Sequence, residues 1–267
     1  MGEIHPTTTI EGEVRFADDV AIGPHCVVTG PVTINSGTRL IGNVYLQGPL
    51  TIGRGNVIYP FTCLGFAPQH AKYDPSQPGE GLLIGDDNTF REHVTIHRAF
   101  TTEGPTRIGD RNYFMATSHA GHDCMIGDDC TFVNGSMLGG HVIVQDHVIV
   151  GGGSTVHQFV RLGRGAMLSG GMGTGLDLPP WFMLTGNNIC GAVNLVGLRR
   201  SGMSRQQIDE VRWVYRTLYR QAMSVKQALE VIKERADSPL IAEYVRFIES
   251  SERGICTARP KAARGTA

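Results

Sequence analysis

The chain is 267 residues long, carries 24 Lys/Arg against 25 Asp/Glu for a formal net charge of −1, and is 41% hydrophobic. That near-neutral balance gives no reason to expect nucleic acid as a partner. No apolar run reaches membrane-spanning length and no signal-peptide pattern opens the chain, so the expectation is a soluble cytoplasmic protein that inserts into no membrane.

Read in steps of six from the first aliphatic residue, the chain runs Ile4, Ile10, Phe16, Ile22, Val28, Ile34, Leu40, Leu46, Ile52, Ile58, Leu64. The phase breaks and returns as Ile84, Phe90, Ile96, then breaks again and resumes from Ile108 through Phe114, Ala120, Ile126, Phe132 and Leu138 to Leu168. No helix repeats at six, and a lone strand alternates at two. A period of six, with Gly often next as in Ile22-Gly23 and Ile126-Gly127, marks a hexapeptide parallel β-helix. The fourth residue after each aliphatic is small or β-branched, as at Val14, Cys26, Val32 and Thr38. Two inward positions per hexad fill a narrow prism, and Gly, Asn and Asp turn its corners. Three hexads make one coil, so the runs predict a solenoid over residues 1–190 of roughly eight coils and roughly 40 Å.

The two breaks read as loops, at about 65–83 (GFAPQHAKYDPSQPGEGLL) and 97–107 (HRAFTTEGPTR). Long loops in a tightly repeating scaffold usually carry function. After Pro179-Pro180 the period of six is gone and a helical domain is expected over 191–256. Ser204-Arg205-Gln206-Gln207 reads as a capping box opening a helix with Ile208, Val211, Val214, Tyr215 and Leu218 on one face. Further helices are expected from Ser224 and from Pro239, and residues 257–267 (TARPKAARGTA) are expected to be disordered.

Charge is divided between these parts. Residues 194–267 carry 14 Lys/Arg against 8 Asp/Glu, and residues 1–193 carry 10 against 17. A basic helical end invites phosphates or an acidic protein partner, while the bland reading is a solvated helix surface. The six cysteines show no zinc pairing; Cys26, Cys124 and Cys130 occupy small inward positions and read as core fillers in a reducing compartment.

The repeat also locates the histidines. His122 lies two past Ala120 and Gly140 two past Leu138, eighteen residues apart, with His141 next along. His157 lies one past Val156, so His122, His141 and His157 are expected to climb one edge on three successive coils, with His119 and Asp123 beside His122. Three readings compete. Edge histidines can simply fill turns, or three of them can hold zinc with an open position, as in hexapeptide-repeat carbonic anhydrases. The spacings lack the His-x4-His pairing of those enzymes. The third reading makes His122 a general base for a hydroxyl, oriented by Asp123, with the Gly140 N–H open to an oxyanion. No Ser or Cys stands in a nucleophile setting, so direct transfer between bound substrates is the simpler chemistry.

With HAGHDCMIG at 119–127, LGGHV at 138–142, VHQF at 156–159, VTIHR at 94–98, DLPPW at 177–181 and NLVGLRRSGMS at 194–204, the chain resembles the UDP-N-acetylglucosamine O-acyltransferases, which open lipid A synthesis. The resemblance spans nearly the whole chain. It implies a mainly β fold, a left-handed parallel β-helix with a C-terminal α-helical domain, assembled as a homotrimer with active sites between subunits. It implies transfer of an (R)-3-hydroxyacyl group from acyl carrier protein to the 3-hydroxyl of the sugar nucleotide, with no cofactor and no metal. By resemblance His122 is the base, Asp123 its carboxylate and Gly140 the oxyanion donor. His70, Lys72, His119, His141, His157, Gln158, Asn194, Arg199 and Arg200 are substrate contacts, and Met167 and Gly170 belong to the acyl-chain pocket.

The chain departs from the family pattern at four places. His70 stands where better-known members have Asp, Val196 where a glutamate is usual, and Ser201 where a second arginine follows the first. The segment between Asn187 and Asn194 is one residue shorter. These departures raise a 3-amino analogue of the sugar nucleotide as an alternative acceptor. The related N-acyltransferase of the same pathway carries an extra N-terminal domain for which a repeat beginning at Ile4 leaves no room. Arg205, Arg212, Arg216 and Arg220, spaced seven, four and four, mark a helix face that could dock an acidic carrier protein.

Overall fold

A computed structural model describes residues 2–76, 79–100 and 104–258. Hexads stack so that each inward aliphatic lies directly over the equivalent one in the next coil. On the first face Ile10, Val28, Leu46, Leu64, Ile96, Ala120, Leu138, Val156 and Thr174 are in register. The second runs Phe16, Ile34, Ile52, Ile84, Ile108, Ile126, Val144, Leu162. The third carries Ile22, Leu40, Ile58, then Phe90, Phe114 and Phe132 stacked at 5.1 and 4.4 Å, then Val150, Leu168 and Leu184.

Apart from one antiparallel fold-back at the helical end, the ladders on these faces are parallel, giving a left-handed three-sided β-helix with nine strands on the first face among the described residues. That is one coil more than the sequence pattern predicted. Thr174 takes an inward position that an aliphatic register does not flag; it is 4% exposed.

Most corners are turned by a residue of left-handed φ three positions past the inward aliphatic, as at His25 (56°), Asp123 (59°), His141 (60°) and Phe159 (65°). Inside the prism, buried Asn56, Asn88 and Asn112 pass hydrogen bonds up the column: Asn88 N–H to Asn56 Oδ1 at 3.0 Å, Asn112 N–H to Asn88 Oδ1 at 2.8 Å. The cysteines at the small inward positions are free and buried, as expected of core fillers.

The solenoid strands continue to Val193, three residues beyond the predicted boundary, because Ile189–Val193 folds back antiparallel on Phe182–Gly186. Four helices follow among the described residues: α1 (Leu195–Arg200), α2 (Arg205–Tyr219), α3 (Val225–Lys233) and α4 (Pro239–Glu249). The capping boxes at Ser204 and Ser224 form as the sequence predicts, and α4 opens on Pro239. The short α1 was not anticipated. Phe182 docks the helices onto the column, its ring 5.3 Å from Tyr215, 5.7 Å from Tyr219 and 5.4 Å from Tyr244. Thr257, where the disordered tail was expected to start, is instead tied down: it bridges Ile189, and its N–H donates to Asn188 O at 2.9 Å. Residues 259–267 lie outside the described ones. No helix among the described residues is long and apolar enough to cross a membrane.

Candidate active site

Both interruptions of the repeat leave the same corner of the prism. The strand Cys63–Phe66 ends on the first face and the chain rejoins the second at Leu82–Ile84; Thr95–His97 and Thr106–Ile108 repeat this one coil on. The next coil carries His119–Ala120, and its turn at that corner holds His122 and Asp123. Strict stacking of coils therefore delivers both loops to the predicted base.

The contacts are specific. His122 Nδ1 lies 2.6 Å from Asp123 Oδ2, with the two side chains 12% and 6% exposed. A carboxylate accepts the Nδ1 proton and leaves Nε2 as the basic nitrogen. Asp123 Oδ2 also lies 3.6 Å from His141 Nε2, and its two oxygens accept the Phe100 N–H at 3.2 and 3.1 Å. The Asp123 N–H donates to Thr106 Oγ1 at 2.8 Å, securing the left-handed corner. The rings of His122 and His141 meet edge to face at 5.2 Å, and His141 stacks on Phe159 at 4.5 Å.

From the first loop, His70 stacks on Phe100 at 4.4 Å and reaches His122 edge-on at 5.7 Å. Arg98 anchors that loop: buried, it donates to Gly48 O at 2.7 Å and to the Tyr73 hydroxyl at 2.6 Å. Lys72 is exposed, and its N–H donates to His70 Nδ1 at 3.2 Å.

Gly140 serves the dyad by having no side chain. A Cβ there would lie 2.7 Å from His122 Cε1 and 2.8 Å from Nε2, so the imidazole occupies the space a side chain would take. Its N–H is spare by construction. Pro24, Pro60 and Pro180 fill the same slot, two past the inward aliphatic, at other corners, so the ladder needs no donor there. Among the described residues no acceptor takes the Gly140 N–H.

Below the dyad lie two histidines kept neutral. His97 is 7% exposed and meets His119 edge-on at 5.2 Å. Burial, with the neighbouring His119 and His122, pushes His97 down to about 4. Burial, with the neighbouring His122, also lowers His119, opposed by a hydrogen bond to the Thr95 backbone; the Thr95 Oγ1 lies 2.8 Å from His119 Nδ1.

Other expectations are corrected by the register. The left-handed corner column is Asp123, His141, Phe159, with His122, Gly140 and Gln158 one residue earlier. His157 stacks instead over Gly139 and Gly121, is exposed, and its Nδ1 lies 3.1 Å from Gln158 O. The three histidines thus share a corner but not a column. Exposed Gln158 sits one coil above Gly140.

Asn194 is buried and its amide is used internally: Oδ1 accepts the Gly197 N–H at 2.9 Å as the α1 N-cap, and Nδ2 donates to Gly165 O at 2.9 Å. That makes it a support for α1, with Arg199 and Arg200 exposed in the last turn. Met167 lies on the third face, and Gly170 turns the corner between third and first faces. A single chain therefore does not bring these two to the dyad. Beside the dyad a cleft of about 440 Å³ opens toward the helical end, lined by Asp123, His141, Phe159, Arg161, Asp177 and Arg253 among others. Phe100, Thr106, Thr95 and Phe159 were missed from sequence; only Phe159 carried a signal, eighteen residues after His141.

His122, Asp123 and His141 also present ligand atoms within 4.8 Å of one another, the one such group among the described residues. The donor set fits a metal poorly. Two ligands at ~2.0–2.1 Å from zinc in tetrahedral geometry stand about 3.3 Å apart. The 2.6 Å between Nδ1 and Oδ2 is instead the length of a charge-assisted hydrogen bond.

The family model described as UDP-N-acetylglucosamine O-acyltransferase, domain 2, matches residues 177–256, the helical end and the strands that carry it. The acyl-[acyl-carrier-protein]–UDP-N-acetylglucosamine O-acyltransferases of Thermodesulfovibrio yellowstonii and Halorhodospira halophila are each 42% identical, over 96% of this chain and 100% and 99% of theirs. The solved UDP-N-acetylglucosamine acyltransferase of Francisella novicida superimposes with a TM-score of 0.93 at 34% identity, covering 97% of this chain and 95% of its own. That of Moraxella catarrhalis gives 0.89 at 35%, covering 95% and 99%. With sequence, solenoid and helical end all matched at nearly full length, this chain belongs to the family of the acyl-[acyl-carrier-protein]–UDP-N-acetylglucosamine O-acyltransferases.

Proposed function

We propose that the protein moves an (R)-3-hydroxyacyl group from acyl carrier protein to the 3-hydroxyl of UDP-N-acetylglucosamine, the first step of lipid A biosynthesis, as the relatives' names suggest for donor and acceptor. The observation that carries the reading is the 2.6 Å His122–Asp123 bond beside a glycine whose N–H is spare. Nε2 of His122 removes the proton of the attacking hydroxyl as its oxygen bonds to the thioester carbon. The oxyanion takes the Gly140 N–H, and Asp123 stabilises the imidazolium. Collapse expels the carrier's thiolate, which takes the proton back from His122. No covalent enzyme intermediate is needed.

Lys72, His119, His141, His157 and Gln158 supply polar contacts to the sugar nucleotide, and Arg199 or Arg200 its phosphates. Because Met167 and Gly170 sit one corner away from His122 in the same chain, a neighbouring copy in a trimer supplies the acyl-chain pocket. The exposed Arg205, Arg212 and Arg216 of α2, with Arg220 at its C-cap, dock the acidic carrier. Reversing Arg212 and Arg216 then raises KM for the carrier-bound donor and spares that for the sugar; an unchanged donor KM removes this surface from the scheme.

A 3-amino acceptor, giving an amide, is the second reading, favoured by one observation: the His70 ring stands 5.7 Å from His122, where it can meet the 3-substituent. Purified protein with 3-hydroxyacyl carrier protein is offered either acceptor, with His122→Ala alongside. Acylation of the hydroxyl sugar and a dead mutant are expected. Reaction of the amino sugar alone moves the substrate assignment to the second reading, and a fully active His122→Ala overturns the mechanism.

A further inference from the structure

Phe100 belongs to neither the repeat nor the motifs that carry the family resemblance, yet it touches both halves of the dyad. Its backbone N–H reaches both Asp123 oxygens, at 3.2 and 3.1 Å. Its ring meets the His122 imidazole edge to face at 5.7 Å. The opposite clamp comes from the other loop: His70 stacks on the ring at 4.4 Å with 29° between planes, and Tyr73 stands 6.3 Å away. Tyr73 is itself held by buried Arg98, which lies two residues before Phe100. The two insertions therefore lock each other, and Phe100 is where the lock meets the base and its carboxylate.

From this juxtaposition we propose that Phe100 is a positioning residue for the proposed acyl transfer: its N–H holds the Asp123 carboxylate, and its ring, clamped by His70, fixes the His122 imidazole. The inference rests on the general-base reading of His122, but its test can be read without turnover.

A carboxylate that accepts two N–H donors shares its charge between them. Removing the Phe100 clamp lets the loop backbone move off Asp123, which then draws the His122 proton more strongly. The His122 titration moves up as a result. Among the described residues the titratable groups facing His122 are Asp123, His141, His119 and His97 from the coils and His70 from the first loop. All but His70 remain in place in Phe100 variants, so the shift reports the lost N–H contact.

The experiment follows His122 by histidine 15N spectra of the full-length labelled protein, assigned by comparison with His122→Asn, and in parallel the acid limb of kcat/KM. Phe100→Ala and Phe100→Leu are expected to raise both values and to lower kcat/KM by roughly tenfold or more, the loss of a hydrogen bond to a charged group. Phe100→Tyr, which keeps ring and backbone, keeps the wild-type titration. His70→Ala moves the titration in the same direction, and His70→Phe restores it. If Phe100→Ala is too unstable to study, the His70 pair carries the test alone. A titration unmoved in Phe100→Leu or in His70→Ala overturns the proposal, whether or not the rate falls, since a substrate wall would change rate without moving the base. If wild type transfers no acyl group to either acceptor, the activity reading fails while the spectra still decide the positioning claim.

Discussion

Gly140→Ala is the sharpest single perturbation, because it adds one methyl group and leaves the backbone N–H in place. The new Cβ would sit 2.7 Å from His122 Cε1, 2.8 Å from Nε2 and 3.1 Å from Nδ1. Carbon contacts are at rest near 3.5 Å, so the ring must retreat by about 0.7 Å. Asp123 is bound to Nδ1 of that ring at 2.6 Å, and a retreat of this size misaligns the bond. Displacement of a catalytic group by about 1 Å costs on the order of a hundredfold in rate. The expected result is a kcat lower by about that factor, with the fold intact, since the added methyl sits at a half-exposed corner whose φ is not left-handed; the stability change stays within about 1 kcal/mol. Steady-state kinetics with both substrates near saturation, together with a thermal melt, measure the two quantities. A folded Gly140→Ala enzyme with wild-type kcat would refute the packing of His122 against Gly140. A loss seen in this variant cannot be assigned to a missing oxyanion donor, because the N–H is still there.

Three further outcomes are expected. Asp123→Asn keeps the shape of the carboxylate but not its charge, so kcat falls roughly a hundred- to ten-thousandfold while the melting temperature changes little; a smaller kinetic loss would take Asp123 out of the mechanism. Phe114→Ala empties the middle of the Phe90–Phe114–Phe132 stack, costing about 3–5 kcal/mol and roughly 10 °C of melting temperature, and a melt within 2–3 °C of wild type, measured by calorimetry, would contradict the stacked column. His97 sets an acid limit: its ordinary value of 6.5 is pushed down to about 4 in the fold, so the unfolded chain takes up a proton that the folded one refuses. The stability from this group is complete above pH 6.5 and is lost progressively as pH falls from 6.5 to 4, by on the order of 3 kcal/mol. His97→Phe should flatten the slope of denaturation midpoint against pH over that window, and an unchanged slope would show that His97 is not the group refusing the proton.

The period of six was sufficient to place every solenoid face, because a prism filled by two side chains per hexad leaves its chemistry visible as a one-dimensional repeat. The Ile10-to-Val156 ladder can be counted off the chain, and so can the stacking of Gly140 over His122. The capping boxes at Ser204 and Ser224 were legible for the same reason: their hydrogen bonds close within four residues. What a one-dimensional register misplaced was His157, one residue out of phase with Gly140 and two with His141, and the last coil, where Thr174 replaces an aliphatic. The loops were legible only as interruptions. That Phe100 would donate to Asp123, and that His70 would stack on Phe100, depends on two insertions from different coils meeting over a third, and no spacing within either loop encodes that meeting. Sequence alone thus determined the column and the corner that bears His122 and Asp123. Tertiary structure decided how the His122 ring is held, because part of its environment comes from Phe100 and His70, loop residues far from it in the chain.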